Sequence, residues 1–226
     1  MFFGDTTRND ILLLYFNATA IANIADNAAS SPITSLHVAL HSAYVASSGN
    51  QTTNEVSYGS YARVAVARTN GGWTVSGNLV VPVSTIAFPA ASSGSATAMF
   101  ATVGTAASGT GKIIGRAGIG GALQIVHAAT SDTITATAHG LAVDDRVAFY
   151  PGVNIALPTG ITEGTVYFVK TSPDANTLTI AATSGGATID VTGAAGCFMQ
   201  RITPLVITSA PQVTPQLTTS TAFRLF

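Results

Sequence analysis

Ionised side chains are scarce in this chain. Asp, Glu, Lys and Arg make up 8% of its 226 residues, against roughly 25% in an average soluble domain. Nine basic and ten acidic residues leave a formal net charge of −1. Since binding to nucleic acid needs clustered basic residues and no such run occurs, we predict no nucleic-acid partner. Polarity comes instead from Ser, Thr, Asn and Gly, a composition that suits a protein covered by copies of itself or by a larger assembly.

Cysteines and long apolar runs are also rare. The single cysteine, Cys197, cannot form an internal disulfide, and no CxxC pattern exists; we predict an ordinary, partly buried strand residue. The most apolar run, residues 11–16, is much shorter than the about 20 residues of a membrane-spanning helix. Ala18-Thr19-Ala20 resembles a signal-peptide cleavage site, but Asp5 and Asp10 stand where a signal peptide carries positive charge. We predict neither a membrane span nor a signal peptide.

The clearest β pattern lies in residues 54–88. Two strand-like runs flank Asn70-Gly71-Gly72. This sequence predicts a hairpin turn between them, because glycine adopts positive φ without steric cost. Alternation of apolar and polar residues predicts an earlier strand over residues 36–41, and later strands are predicted over residues 96–103 and 112–119. We expect these strands to form an antiparallel core.

One helix is predicted over residues 5–29. Asp5, Thr6 or Thr7 can cap its first turn. Its apolar residues repeat at spacings of four, three and four, which is one helical face: Leu14, Ala18, Ile21 and Ala25. This face packs either on the chain's own sheet or against a neighbouring subunit, and the pattern alone does not choose between them.

Residues 120–201 differ in character from the rest. Strand patterns of about five residues alternate there with turn sequences such as His139-Gly140 and Gly185-Gly186. We interpret this stretch as a small β-module inserted into a host domain made of residues 1–119 and 202–226. The predicted fold class is therefore mainly β: an antiparallel β-sandwich with an N-terminal α-helix and an inserted small β-domain.

Two patterns resemble functional sites without meeting their requirements. His37 and His41 share one face of the predicted strand about 13 Å apart, too far to bind one metal, so we interpret them as polar positions on its open side. Residues 104–111 approach a phosphate-binding loop, but no Lys directly follows Gly109 and no Ser or Thr follows Lys112. We predict no catalytic residues, no cofactor and no metal.

Four segments, in this order, carry a resemblance to a known family: LHVALHSA at residues 36–43, NEVSYGSYARVAVART at 54–69, GWTVSG with VSTIAFPAA at 72–91, and GTAASGTGKIIGRAGI at 104–119. Together with residues 202–226 they resemble tailed-bacteriophage virion proteins of the tail-fibre or head-decoration type. The intervening stretch, with HGL at 139–141 and GTVYFV at 164–169, resembles a module repeated in many phage fibre and tail proteins.

The resemblance implies a non-enzymatic structural protein present in many copies on the virion, as a head decoration (cement) protein or as a tail-fibre or collar component. It would be assembled in the cytoplasm of the bacterial host. Expected partners are further copies of the chain, in a closed homo-oligomer such as a trimer, and capsid or tail proteins.

The alternative is a receptor- or carbohydrate-binding module of a tail fibre. Its candidate interaction surface consists of aromatic side chains that would contact host-surface glycans: Trp73, Tyr150, Tyr167 and Phe168. Aromatic residues in strands belong more often to a core or an interface. A glycan hydrolase is less well supported, because it needs two carboxylates roughly 5–10 Å apart and the acidic residues here are dispersed.

Overall fold

The computed structural model describes residues 5–21, 32–77, 79–128, 132–152, 155–193, 196–211, 214–217 and 223–224. The chain divides into two units. The first consists of Met1–Ala117 with Leu205–Phe226, and the second of Gly118–Pro204. The second unit is therefore an insertion in the sequence of the first. That the two units fold as independent domains stays a prediction.

The helices and strands are the following, in chain order: α1 (Asp5–Asn17), β1 (Ser35–His41), β2 (Val64–Ala67), β3 (Trp73–Ser76), β4 (Leu79–Pro82), β5 (Ile86–Ala87), β6 (Ser95–Ala98), β7 (Phe100–Gly104), β8 (Ile113–Gly118), β9 (Gly120–Ala128), β10 (Ile134–Thr135), β11 (Arg146–Tyr150), β12 (Val166–Thr171), β13 (Thr177–Ala181), β14 (Gly196–Ile202), β15 (Leu205–Thr208), β16 (Gln216–Leu217) and β17 (Phe223–Arg224).

The first unit is built from several antiparallel sheets. A four-stranded sheet has the order β2-β1-β7-β8, and a three-stranded sheet has the order β17-β4-β3. Two smaller sheets pair β15 with β6 and β16 with β5. The predicted fold class is confirmed: the chain is mainly β and sandwich-like, with one N-terminal helix in its described part. That helix is not long and apolar enough to cross a bilayer.

Strand β1 is buried on both of its faces from Val38 to His41. It lies between β2 and β7, with His37 opposite Ala65 on one side and Gly104 on the other. Leu40 and His41 point to opposite faces, and neither is exposed. The interpretation of an open polar side was therefore wrong at Ala39 and His41, which other parts of the chain cover, whereas Ser35 and His37 on the same face are half-buried.

Helix α1 ends at Asn17 rather than at residue 29. Ala18 adopts φ +56°, and the Thr19 amide donates to the Leu13 carbonyl at 3.1 Å, so a left-handed residue closes the helix. The buried positions are Leu12 and Phe16, four residues apart, and not the predicted face through Ala18. Residues 22–29 of the predicted helix lie outside the described residues.

The helix packs on the first unit's own sheet. The ring of Phe16 meets the ring of Trp73 in β3 edge-on, with centroids 5.0 Å apart. Arg68 follows β2 and donates from its guanidinium to the carbonyls of Tyr15, at 2.6 Å, and Leu14. A cation at the C-terminal end of a helix stabilises its unpaired carbonyl groups.

The second unit is a closed barrel of six antiparallel strands in the order β10-β13-β12-β11-β14-β9. Residues alternate along each strand between the barrel interior and its outer face. Its interior is filled by large apolar side chains, among them Val126, Phe149, Tyr167, Ile180 and Met199. The barrel therefore has a packed hydrophobic core of its own.

Candidate functional site

Buried polar side chains cover one face of β1 in the first unit. We call this set the Arg63 cluster; its members are His41, Gln51, Glu55, Tyr61, Arg63 and Thr102. Five of them come from β1 and the segment that follows it, and Thr102 comes from β7. Glu55 is brought next to β1 by an isolated antiparallel bridge to His41. The cluster is thus assembled by folding residues 42–63 back over the strand.

Arg63 and Glu55 form the centre of the cluster. The guanidinium Nε and Nη2 atoms lie 2.7 and 2.8 Å from the two carboxylate oxygens, and the side chains are only 2% and 16% exposed. This bidentate geometry is the strong form of such a pair. The hydrogen bond that Arg63 donates to Glu55 raises the pKa of Arg63. Arg63 also donates to the carbonyls of Ala106 and Gly109, at 3.0 and 2.8 Å.

Tyr61 connects this ion pair to β1. Its hydroxyl donates to Glu55 Oε1 at 2.9 Å and accepts from the Leu40 amide at 3.1 Å. Burial is the main cause that raises the pKa of Tyr61 above its usual value. Its ring stacks on Phe88, with centroids 6.4 Å apart and planes 9° apart. Tyr61 therefore stays a neutral, positioned donor.

His41 is a second connection between β1 and residues 42–63, which cover it. Its Nδ1 lies 2.8 Å from the Thr53 carbonyl oxygen and its Nε2 lies 2.8 Å from Thr102 Oγ1. The ring is fully buried. Burial, with a smaller contribution from Arg63, lowers the pKa of His41, although the Thr53 carbonyl and Glu55 oppose this. The side chain is thus held in its neutral form.

Gln51 fills the space beside the glycine-rich loop. It is fully buried, donates from Nε2 to the His37 carbonyl at 2.9 Å and accepts from the Ala106 amide at 3.1 Å. A Cβ at Gly104 or Gly111 would lie 2.2 or 2.0 Å from atoms of the Gln51 side chain. These glycines therefore make room for Gln51. The segment around Gln51 is not the simple surface loop that its Ser, Asn and Gly content indicates.

The chemistry of the Arg63 cluster is directed inward. Arg63, Glu55 and Tyr61 make their hydrogen bonds with one another or with backbone groups of the chain. A catalytic acid or base has to reach a substrate, whereas the His41 ring has no exposed surface. The arrangement is well suited to fixing residues 42–63 and the loop at 105–111 against β1.

Two of the four predicted surface aromatics do not reach the surface. Trp73 is fully buried under α1, and Tyr167 is 5% exposed in the barrel core, where its hydroxyl accepts from the Thr162 amide at 2.8 Å. Both belong to a core because α1 and the barrel wall cover them. Their assignment to an exposed interaction surface is corrected accordingly.

The other two aromatics, Tyr150 and Phe168, are half-buried and lie apart. Phe168 is opposite Arg146 in the β11–β12 register, with the guanidinium 5.1 Å from its ring centroid. Tyr150 lies four residues further along β11, which is about 13 Å. Its hydroxyl donates to Gln200 Oε1 at 3.1 Å. The structure does not bring the two rings together, and a binding role for either stays a prediction.

An apolar row that the sequence did not reveal lies next to Tyr150. Phe198 in β14 is opposite Tyr150 in β11 and opposite Ile125 in β9. Their chain neighbours Phe149, Met199 and Val126 fill the barrel core, so the three side chains point to the outer face. Ile125 is 63% exposed. The row depends on strand register, which alternation along a single strand does not specify.

The remaining candidates have structural roles. Cys197 is buried in β14, as predicted, and burial raises the pKa of its thiol to about 11. Asp145 accepts from the Ala142 amide at 2.9 Å and from Arg201 at 3.0 Å. In the described part of the chain, no three His, Cys, Asp or Glu side chains converge as metal ligands.

No protein-family model matches this chain, and no curated protein matches it either.

Proposed function

We propose that this chain is a non-enzymatic structural protein of a tailed-bacteriophage particle, displayed in many copies as a head decoration protein or as a tail-fibre or collar component. Its sequence supports this through the ordered motifs between residues 36 and 119. The scarcity of charged residues supports a surface that is largely covered in an assembly. The insertion of a β-barrel into the sequence of a sandwich-like unit fits a virion protein that carries an additional module.

The observation that carries the non-enzymatic part of the proposal is the inward-facing Arg63 cluster. It gathers the residue types that enzymes use as acids, bases and anion binders. Here a buried guanidinium binds a carboxylate and two loop carbonyls, and the neighbouring imidazole is occupied at both nitrogens. These groups stabilise loops, which is the task of a rigid building block.

The partners in this proposal are further copies of the chain and other virion proteins. Val206 in β15, a strand paired with β6, is 63% exposed. Neutral, partly apolar surfaces of this kind favour association, since they carry little charge repulsion. A closed homo-oligomer such as a trimer, assembled in the host cytoplasm and carried on the virion, is the expected form.

Immunogold electron microscopy tests the proposal. Antibodies are raised against two peptides, one from residues 42–63 and one from residues 163–176, and applied to particles purified from a lysate of cells that carry the gene. We expect gold at a fixed position on the head or the tail for at least one antibody. Intact particles without label, together with recovery of the whole chain in the particle-free fraction, would contradict a virion location.

A second function, recognition of host-surface glycans by the barrel, is favoured by one observation. The row Ile125, Phe198 and Tyr150 places two aromatic rings and an exposed aliphatic side chain on one outer face. Such surfaces bind the apolar faces of sugars. Glycan-array binding of the full chain tests it, with Tyr150→Ala as the variant and Tyr15→Ala as the control, because Tyr15 lies in α1 and is 48% exposed. Binding lost only in Tyr150→Ala supports recognition; no binding by the wild type rejects it.

A further inference from the structure

The His41 ring connects residues 42–63 to the four-stranded sheet: Nδ1 contacts Thr53 in the segment, and Nε2 contacts Thr102 in β7. A carbonyl oxygen only accepts hydrogen bonds, so the contact of Nδ1 with Thr53 places the proton on Nδ1. Nε2 then accepts from the hydroxyl of Thr102. The neutral ring is fully satisfied by these two contacts at 2.8 Å. Backbone bonds on either side, from Ser42 to Asn54 at 2.9 Å and from Val56 to Leu40 at 3.0 Å, hold the same segment.

A protonated His41 ring does not fit this arrangement. Its Nε2 would become a second donor facing Thr102 Oγ1, and the hydroxyl proton of Thr102 would have to turn away to another acceptor. The charge would also lie on a ring that has no exposed surface. A hydroxyl oxygen can accept from Nε2, so the conflict in the protonated state consists of the buried charge and of a Thr102 hydroxyl proton that has lost its acceptor.

The charges around His41 add to this conflict. On β1 itself the nearby titratable group is His37, and residues 42–63 contribute Glu55, Tyr61 and Arg63. The single carboxylate among these groups is already bound by the Arg63 guanidinium at both oxygens. From β7, the contact is the uncharged Thr102. A second cation would therefore leave the buried cluster with excess positive charge.

We propose that His41 is an acid-sensitive latch, whose protonation at mildly acidic pH releases residues 42–63 from β1 while the barrel unit keeps its structure. Release also removes Gln51 and Arg63 from the loop at 105–111, because these two side chains hold its backbone. The open form exposes polar backbone and the edge of β1. This inference stands on the cluster's geometry and does not depend on the proposed function.

The linkage sets the size of the effect. The folded pKa of His41 lies below its ordinary value, so the closed form loses stability as the pH falls from about 6.5 toward that lower value. The open form binds one more proton than the closed form. The equilibrium constant for opening therefore rises by at most about tenfold for each unit by which the pH falls. The pKa of His37 is lowered too, mainly by burial, so a test has to separate the two histidines.

Hydrogen exchange of the full chain, read by mass spectrometry at pH 7.5, 6.5 and 5.5 and corrected for intrinsic exchange rates, provides the test. In the wild type we expect protection in peptides from residues 42–63 and 105–111 to fall by up to about fivefold between pH 6.5 and 5.5, because the open-state His41 is already half protonated at pH 6.5. Barrel peptides from residues 146–150 and 166–171 should keep their protection. His41→Gln retains a donor and an acceptor but cannot ionise, so it should abolish the pH dependence. His37→Gln should leave it in place.

Three results would overturn the latch: unchanged protection of residues 42–63 in the wild type, the same acid loss in His41→Gln, or its disappearance in His37→Gln. If His41→Gln does not fold, ring-nitrogen NMR of the wild-type protein tests the proposal instead. The Nδ1-protonated neutral form of His41 should persist until the amide signals of residues 42–63 lose protection. Titration of His41 without that loss contradicts the proposal.

Discussion

Arg63 donates from Nε and Nη2 to the two carboxylate oxygens of Glu55, at 2.7 and 2.8 Å, within the segment that follows β1. The two residues are eight positions apart, and the pair is formed where the chain folds back over the strand. The same guanidinium reaches the carbonyls of Ala106 and Gly109. One side chain therefore connects two loops to each other, and its removal should destabilise both loops.

Replacement of Arg63 by Met is expected to lower the free energy of unfolding by about 3–5 kcal/mol, because it leaves a buried carboxylate and two loop carbonyls without partners. The control is Arg201→Met. Arg201 pairs with Asp145 at 3.0 Å while its side chain stays 48% exposed, and such pairs contribute at most about 1 kcal/mol. Urea denaturation measures both variants; equal losses would contradict the central role of Arg63.

Replacement of Gly104 by Ala is expected to cost about 1–3 kcal/mol through overpacking, since the new Cβ would lie 2.2 Å from Gln51. The loss should be smaller when Gln51 is also changed to Ala, which makes the two positions energetically coupled. Gly71→Ala is the matched control, because the nearest atom to its Cβ is 3.6 Å away. Additive effects in a double-mutant cycle would show that Gln51 does not require the glycine.

Replacement of Phe16 by Ala is expected to cost about 3–5 kcal/mol and to expose Trp73, which Phe16 covers edge-on. Trp73 is the single tryptophan, so intrinsic fluorescence reports directly on this contact, and its emission maximum should shift to longer wavelength. Tyr15→Ala, at a 48% exposed position of the same helix, should leave the emission unchanged. An unshifted spectrum in Phe16→Ala would mean that another group covers the indole.

Cys197 is expected to resist thiol reagents in the folded protein at pH 8, because its pKa of about 11 leaves few thiolates. A raised folded pKa also means that this residue's contribution to stability is complete below the unfolded value near 9 and is lost as pH rises toward 11. Cys197→Ser should therefore show a flatter decline of unfolding free energy between pH 9 and 11. Rapid labelling by Ellman's reagent without denaturant would refute the burial.

The β-rich fold was predictable because its signals are local. Alternating residues and the strand position of Cys197 depend on neighbours along the chain. The hairpin expected at Asn70-Gly71-Gly72 was wrong, because β2 pairs with β1 and β3 pairs with β4 instead of with each other. The end of α1 was missed because Ala18 adopts a left-handed conformation without the glycine that usually marks such an end. Apolar residues continue past Asn17, so periodicity alone extended the helix too far.

The Arg63 cluster was not predictable from the sequence, because its partners meet only in the folded chain. Gln51 lies in a stretch of polar residues that indicates a loop, yet it is buried against Gly104 and Gly111, more than fifty positions away. The open side expected for His41 was covered by that same stretch. Among the aromatics, burial of Trp73 depends on α1, which a strand pattern does not encode.

The barrel begins and ends at the same place. Gly120 at the start of β9 faces Ile202 at the end of β14, and the Thr203 amide donates to the Ile119 carbonyl at 2.6 Å. The two ends of this insertion of some eighty residues therefore lie as close together as the two ends of a tight turn. We therefore expect that a segment with such closely spaced ends can be exchanged or shortened during evolution or by an engineer.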